Sequence, residues 1–435
     1  MDSVQEILEF VQDNDVKFVK LAFCDLFGTQ KNVSLPAGEL PRAFREGVSF
    51  DGSSVDGFLR VEESDLVLWP DPSTVCILPW RPAEGRVMRM LCDIRLPDGQ
   101  PFAGSCRGYL KQAAARFDAL GLGCNVGTEC EFYLFEADER GEATHIPMDR
   151  AGYFDVAPLD KGENIRREIC LTLEEMGIVP RHSHHEHGPG QNEIDFLYGP
   201  ALTAADDLIT FKSVVRAVAA RSGLFASFLP KPIAGESGSG LHVNISLHQN
   251  GKNLFAGPLE GDSPAGHFLA GVLARARELT LFLNPIPNSY ARFGCCEAPG
   301  YVSWSRQNRS QLVRIPAAPA ASCRMELRSP DPACNPYLAF GLVLAAGLEG
   351  IRQKRPLPPP VNRNLFEQGA AGGLEPLPRS LAEALEAARA SEFIARELPK
   401  SLAQNYFEGQ ERRIRRMAAG GAEAEREKAR YFALT

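Results

Sequence analysis

Residues 3 to 14 place Val4, Ile7, Leu8 and Val11 on one face of a 3.6-residue period. That pattern predicts an amphipathic helix, with Ser3 as its N-cap and Glu6 three residues on to complete a capping box. The period then drops to two. VKFVKLAFCDL at 16–26 alternates, and VLWPD at 67–71 and TVCILPW at 74–80 follow between prolines, so the first hundred residues read as a small α+β unit. RLPDGQPFAGS at 95–105 is the candidate boundary, dividing the chain into 1–98 and 99–435. Beyond it RGYLKQAAARFDALG predicts a helix ended by glycine, and GTECEFYLFEA predicts a strand. Helices at about 161–176 and 203–222 alternate with strands at IDFLY and LHVNISL, and helix returns at 336–353 and from 379 onward. This is a mixed α/β domain, and its Ala/Glu/Arg-rich tail reads as a solvated helix.

Length and composition narrow the field. A chain of 435 residues exceeds one hydrophobic core, so two domains are expected. The formal net charge of -8 gives no general attraction to nucleic acid or to an anionic membrane. The acidic start lacks the basic and apolar segments of a signal peptide, and no apolar run approaches the roughly 18 residues needed to span a bilayer. Eleven cysteines, with no CxxC pair, look like reduced thiols. The chain reads as soluble, cytoplasmic and directed at a small molecule.

HSHHEHGPGQNEIDF at 182–196 is the densest chemistry in the chain. A hairpin centred on Pro189 and Gly190 sets Glu186 opposite Glu193, and opposed side chains have Cβ atoms about 5 Å apart. Two such carboxylates repel unless a cation lies between them, and a divalent metal is the strongest remedy. A zincin is excluded, because HExxH requires histidine where Pro189 stands. A polar hairpin lying in water accounts for the stretch equally well when it is taken alone.

A second acidic pair changes that balance. Glu129 and Glu131 are two apart on a predicted strand and share one face, while Cys130, Phe132 and Leu134 share the other. His242 in SGSGLHVNISL and Glu326 in CRMELRSPDP each lodge one further donor in an apolar strand. Oxygen-rich donor sets select Mg²⁺ or Mn²⁺ over Zn²⁺, and five carboxylates exceed what one ion neutralises. Arg306, Arg309, Arg314, Arg324 and Arg328 are the complementary half of a site for a polyphosphate and a carboxylate, or else cross-strand ion pairs. No Walker A sequence occurs, and GESGSG lacks the dinucleotide spacing.

FDGSS, ECEFYLF, HHEHGPGQNE, KPIAGESGSGLH, NSYARFGCCEAP, RQNRSQLVRIP and MELRSPDPACNPYLAF follow one another in this order. With them the chain resembles glutamine synthetase of the bacterial class I type along nearly all its length. The resemblance implies an N-terminal β-grasp domain and a large catalytic domain of the glutamine synthetase/guanido kinase-like kind with an antiparallel sheet. It implies a homododecamer of two hexameric rings with active sites between subunits, and ATP-driven formation of glutamine from glutamate and ammonium through γ-glutamyl phosphate. Carried over by motif, Glu131, Glu186 and Glu193 would hold one Mg²⁺ or Mn²⁺ and Glu129, His242 and Glu326 another, with two or three ions per site. Arg309 would stabilise the transferring phosphoryl group. Arg292, Arg328, Gly238 and Gly240 would bind glutamate, and His184, Asn244, Ser246, Arg314 and Arg324 the nucleotide. Asp51 from an adjoining subunit, Tyr153 and Glu186 would handle ammonium beneath a flap acid, Glu297.

The chain departs from that pattern in places. Ser237 stands where the glycine loop usually has asparagine, and the flap between Arg292 and Glu297 is one residue short. VNRNLFEQGAAGGLEPLPRSL carries no tyrosine for adenylylation, whereas VDGFLRVEESD resembles the feedback-regulated branch, with Arg60 at the regulatory position. A γ-glutamyl-amine ligase on the same fold should remodel the ammonium acids, and a non-catalytic assembly or regulatory homologue should lose metal ligands. Asp51, Tyr153, Glu186, Glu297 and all six donors are present. His184 and His185 are expected beside the pocket, His182 and His187 in water, and Cys295-Cys296 as buried thiols.

Overall fold

The computed structural model describes residues 3–81, 84–368 and 373–435. Helix α1 (Val4–Asp13) forms where the pattern puts it: Ser3 Oγ accepts the Glu6 amide at 3.2 Å, and Ile7 and Val11 are buried. It lies by a sheet of six strands, β1 (Val16–Cys24), β2 (Gln30–Pro36), β3 (Val48–Asp51), β4 (Asp65–Pro70), β5 (Cys76–Ile77) and β6 (Arg86–Arg95), with α2 (Leu40–Glu46) between β2 and β3. The order is β2-β1-β6-β4-β3, with β1 and β6 parallel. Ile7, Leu21, Leu40, Leu68 and Met90 fill one core on this β-grasp sheet. Two expected strands are shorter. Pro72 and Pro79 flank the ladder that 74–80 was expected to form, leaving only Cys76–Ile77. The first strand ends at Cys24 because Asp25 Oδ1 accepts the Phe27 and Thr29 amides and turns the chain.

The second sheet has eleven strands: β7 (Gly123–Ala137), β8 (Ala143–Pro147), β9 (Pro180–His185), β10 (Gln191–Phe196), β11 (Gly199–Pro200), β12 (Leu224–Ser227), β13 (Leu241–Gln249), β14 (Lys252–Asn253), β15 (Trp304–Arg306), β16 (Val313–Ile315) and β17 (Met325–Leu327). The central order is β15-β16-β17-β13-β7-β10-β9, antiparallel except for β15 with β16. Helices α3 (Cys106–Asp118), α4 (Glu163–Glu175), α5 (Ala201–Arg221), α6 (Pro264–Leu283) and α7 (Pro336–Arg352) precede α8 (Leu365–Gln368), α9 (Leu381–Arg389), α10 (Glu392–Glu397), α11 (Lys400–Ala418) and α12 (Gly421–Leu434).

One face of β7 supplies the core. Cys130, Phe132 and Leu134 are buried, and the Phe132 ring packs on Phe211 of α5 and on Phe228. Helix α7 is apolar all round and buried, so it sits inside the helical layer, capped by Asn335, which accepts the Tyr337 amide. The tail differs from the solvated helix expected. Tyr431 and Phe432 are buried, and the Phe432 ring lies 5.4 Å from Phe135 and 5.1 Å from Phe225. Two aromatics at the end of a charged segment suffice to dock it.

The two sheets are tied by charge. Arg107 of α3 reaches Asp71, Asp93 and Asp206, each at 2.8 Å, joining β6 and the segment after β4 to α5. No described helix is long and apolar enough to cross a membrane.

Candidate active site

The face of β7 opposite the core carries Glu129 and Glu131, as alternation requires. Register then brings the other donors to them. Glu193 of β10 pairs with Glu131, and His242 of β13 pairs with Glu129. Glu326 of β17 pairs with Asn244 of β13 and with Arg314 of β16. One row across five strands thus gathers acids, one histidine and arginine.

The hairpin corrects one expectation. Glu193 pairs with His184, not with Glu186, because β9 stops at His185 and the turn is offset by two residues. Glu186 lies past the strand end, its amide donating to the Gln191 carbonyl at 2.8 Å. The carboxylates still converge: ligand atoms of His184, Glu186 and Glu193 lie within 4.8 Å of one another, as do those of Glu129, His242 and Glu326.

These two clusters differ in compensation. Glu326 is 1% exposed and lies 2.5 Å from Arg328 and 2.7 Å from Arg314. Burial opposes ionisation of Glu129, but His242 at 3.1 Å, the Asn244 amide at 2.9 Å and Arg324 outweigh it and hold its carboxyl at about 2. Glu131, Glu186 and Glu193 have no lysine or arginine within ion-pair distance among the described residues; Glu186 and Glu193 share only His184, at 3.7 and 3.8 Å. Burial and the charge of Glu131 push Glu186 up to about 8, and burial with Glu131, Glu129 and Glu186 raises Glu193 as well. Burial also lowers His184, which discourages it from serving as the missing cation. Hard oxygen donors around an uncompensated negative charge fit a divalent metal ion.

Two cavities flank the row. One, of about 280 Å³, is lined by Glu129, Asn244, Ser246 and Arg324, with His182 and Tyr198 at its wall. Arg324 Nε donates to Asn244 Oδ1 at 2.8 Å. A smaller one, about 30 Å³, is lined by Glu131, Gly238, Arg292, Glu297 and Arg328. Arg292 and Arg328 are both buried, and Arg292 donates to the carbonyls of Ser329 and Pro330. Gly240 leaves this space open: a Cβ there would stand 3.0 Å from Arg292 Nη2 and 3.4 Å from Glu131 Oε1. A Cβ at Gly238 would collide with the Pro230 carbonyl and the Arg292 stem.

Glu297 covers the smaller cavity from a loop in which Cys296 and Glu297 adopt φ of 47° and 65°, a costly conformation for side chains of this kind. Its carbonyl accepts from Arg328 Nη2 at 3.3 Å. Cys295 and Cys296 are exposed on this loop, correcting the expectation of buried thiols, because the loop crosses the cavity mouth and not the core. Arg306 and Arg309 are exposed at and just after β15. Tyr153 is exposed at the rim, its ring stacked on His187 at 4.6 Å.

Two predicted residues stand away from the row. Asp51 ends β3 on the other sheet, exposed, and its hydrogen bonds from Ser53 and Ser54 lower its carboxyl. Arg60 is exposed ahead of a short 3₁₀ turn. The tyrosine-free segment VNRNLFEQGAAGGLEPLPRSL includes residues 369–372, outside the described residues.

The histidines sort themselves by partner. His182 is exposed to water as expected, and it also bonds Asp195 at 2.9 Å and lines the larger cavity. His185 is buried behind the row, between Asp149 at 2.9 Å and the Glu186 carbonyl at 2.7 Å, and serves the hairpin rather than the pocket. Asp160, beside them, is bound by Arg166. Pattern reading missed Gln191, whose amide bonds Glu131 at 3.1 Å, and Tyr133, whose hydroxyl bonds the Ser237 carbonyl at 2.5 Å. Gln191 adjoins Glu193 in the motif and was within reach, whereas Tyr133 is indistinguishable from core in an apolar strand.

A β-grasp domain joined to a sheet that sets uncompensated carboxylates beside buried guanidinium groups defines a class of enzyme handling divalent cations and an anionic substrate. The family comparisons narrow this class. Residues 103–429 match the glutamine synthetase catalytic domain, and residues 15–97 match the glutamine synthetase beta-grasp domain. The chain therefore belongs to the glutamine synthetase family. It is 47% identical to glutamine synthetase of Clostridium saccharobutylicum over 413 residues, 93% of each chain. It is also 47% identical to that of Methanosarcina mazei over 414 residues, 93% of this chain and 92% of the relative. A solved GmaS/ADP complex superposes with a TM-score of 0.87 at 31% identity, covering 98% of this chain and 99% of that one.

Proposed function

We infer that this chain is a glutamate–ammonia ligase that makes glutamine from glutamate, ammonium and ATP through γ-glutamyl phosphate. The observation that carries the reading is the contrast within one row, where Glu326 is saturated by arginines while Glu131, Glu186 and Glu193 lack a cation. A carboxylate is a poor acyl donor, and phosphorylation gives it a leaving group.

In this reading Glu131, Glu186 and Glu193, and Glu129, His242 and Glu326, would hold two or three Mg²⁺ or Mn²⁺ per site, which would supply charge neutralisation for the phosphates. Asn244, Ser246, Arg314, Arg324 and His184 bind the nucleotide. Arg292 and Arg328 grip the glutamate carboxylates over Gly238 and Gly240. The γ-carboxylate oxygen attacks the terminal phosphorus, ADP departs, and Arg309 meets the charge that develops on the equatorial oxygens. Tyr153, Glu186 and Asp51 bind ammonium and take a proton from it, while Glu297 keeps water out. Ammonia then adds to the acyl carbon, the nitrogen gives its extra proton to Glu297, and the C–O bond to phosphate breaks to leave glutamine.

Asp51 is on the other sheet and exposed, so a part for it in catalysis calls for a neighbouring copy, as in active sites formed between subunits; two rings of six are what the family resemblance implies. The proposed division at 98/99 lies between β6 and α3. A cytoplasmic setting rests on the free cysteines. Arg60 is assigned to feedback by glutamine; inhibition by glutamine that is unchanged in Arg60→Ala removes that assignment.

A second reading, an amine other than ammonia as acceptor, is favoured for testing by Ser237 in the glycine loop. A panel of amines with product mass decides between them: ammonium is expected to be preferred, and a higher kcat/KM for an alkylamine transfers the assignment to an amine ligase.

A further inference from the structure

Lys20 of β1 and Arg89 of β6 stand directly opposite each other in the parallel register of the N-terminal sheet. Like charges so placed repel, and sheets ordinarily set an acid between them. None is there: Lys20, Arg81 and Arg89 form no ion pair with a carboxylate among the described residues. Burial and the charge of Arg81 lower the Lys20 ammonium below its ordinary range, as expected of a cation without a counter-charge.

Arg89 is 7% exposed. Its Nη1 donates to the Thr210 hydroxyl at 2.9 Å, but its Nε is buried with no partner. Asp207, an acid whose charge Arg89 feels, is raised to about 7 by burial and by Asp206, so it offsets Arg89 only in part. A buried guanidinium with an unmet donor is costly, and such a group normally has an anion or a water to satisfy it.

Between these cations lies a cavity of about 170 Å³, where β1, β2 and the segment after β5 face α5. Its lining includes Lys20, Arg81, Arg89, Trp80, Gln30 and Ser213, and no acidic side chain. The Ser213 hydroxyl donates to Gln30 Oε1 at 2.5 Å, which leaves the Gln30 amide nitrogen free to donate. Three cations and an amide donor around a small space with no acidic side chain in its lining form a receptor for negative charge.

We propose that this cavity binds a small dianion, a phosphate group or a short dicarboxylate, at the junction of the N-terminal sheet and α5. It is separate from the carboxylate row and from both cavities beside it. The ligand would bridge Lys20 and Arg81 of one sheet to α5 of the other domain, relieving the repulsion between β1 and β6.

Calorimetric titration of the full chain with inorganic phosphate, and separately with succinate, in the absence of ATP and divalent metal, tests this. At least one anion should bind saturably, one per chain, and should weaken about tenfold or more in Lys20→Gln and in Arg81→Gln. Which of the two binds tells phosphate from dicarboxylate chemistry. Binding should persist in Arg309→Ala, because phosphate held in the active site would be lost there. Lys20→Gln should melt no lower than the parent protein, since Lys20 has no ion pair to lose, and this separates a lost ligand from a lost fold. Absence of binding by both anions up to about 10 mM overturns the proposal. So does binding that survives Lys20→Gln and Arg81→Gln and disappears in Arg309→Ala.

Discussion

Replacing Glu186 by Gln should stabilise the protein when metal is removed and destabilise its metal complex relative to the parent. The side chain is about nine-tenths buried, and burial with the charge of Glu131 puts its folded pKa at about 8. An acid raised in this way favours the protonated folded state. Its cost is therefore absent below the unfolded value near 4.3, grows as pH rises between the two values, and is complete above about 8. At pH 8 that cost approaches about 4 kcal/mol, an upper bound because the carboxylates relax together. In a chain of this length about 1 °C of melting temperature corresponds to each kcal/mol. Metal-free Glu186→Gln should then melt roughly 2 to 4 °C above the parent protein at pH 8 and level with it near pH 5. Adding Mg²⁺ or Mn²⁺ should raise the parent protein far more than the variant, so the order reverses. The assay is thermal melting with and without chelator at both pH values. A variant that melts lower without metal, or equal metal stabilisation of both proteins, would refute the idea that this carboxylate waits for a cation.

Arg309→Ala should lower kcat by about a hundredfold or more with little change in either KM, since its contact tightens only as the phosphoryl group transfers; a change confined to KM would make it a binding residue. Tyr133→Phe removes the donor to the Ser237 carbonyl and should raise the KM for glutamate about fivefold, worth about 1 kcal/mol, while the KM for ATP stays put. Arg107→Ala leaves Asp206 without its cation and Asp71 and Asp93 with Lys111 alone, and should cost about 3 kcal/mol, read as an early separate melting of the N-terminal sheet. Burial opposes ionisation of Asp71, but Ser73 and Arg107 outweigh it and hold its carboxyl at about 2. That stability is present above about pH 4 and lost as pH falls through about 2, so the parent protein should lose more than Arg107→Ala across this window in acid titration.

Much of this molecule is written in short-range pattern. The capping box at Ser3 and the alternation of Glu129 and Glu131 against Cys130 and Phe132 depend only on local period, and both appear where that period puts them. Register is harder to read. Symmetry about Pro189 and Gly190 paired Glu186 with Glu193, yet the turn shifts the pairing by two and sets His184 there instead, since a hairpin's register follows its turn geometry and not its centre. The convergence survived because a shift of two preserves the face. Partners distant in sequence were not legible at all. Asp149 behind His185, Tyr133 under Ser237 and Phe432 against Phe135 are joined only by tertiary packing. The exposure of Cys295 and Cys296 likewise follows from where the loop runs, which no pattern within GCCEAP discloses.

The central claim is that the chain joins ammonia to glutamate at the expense of ATP. Purified protein with Mg²⁺ or Mn²⁺, ATP, glutamate and ammonium should release phosphate and form glutamine in equal amounts, with both lost in Glu326→Ala, which breaks the row between Arg314 and Arg328. Phosphate release without ammonium-dependent glutamine, or full activity in Glu326→Ala, would contradict it.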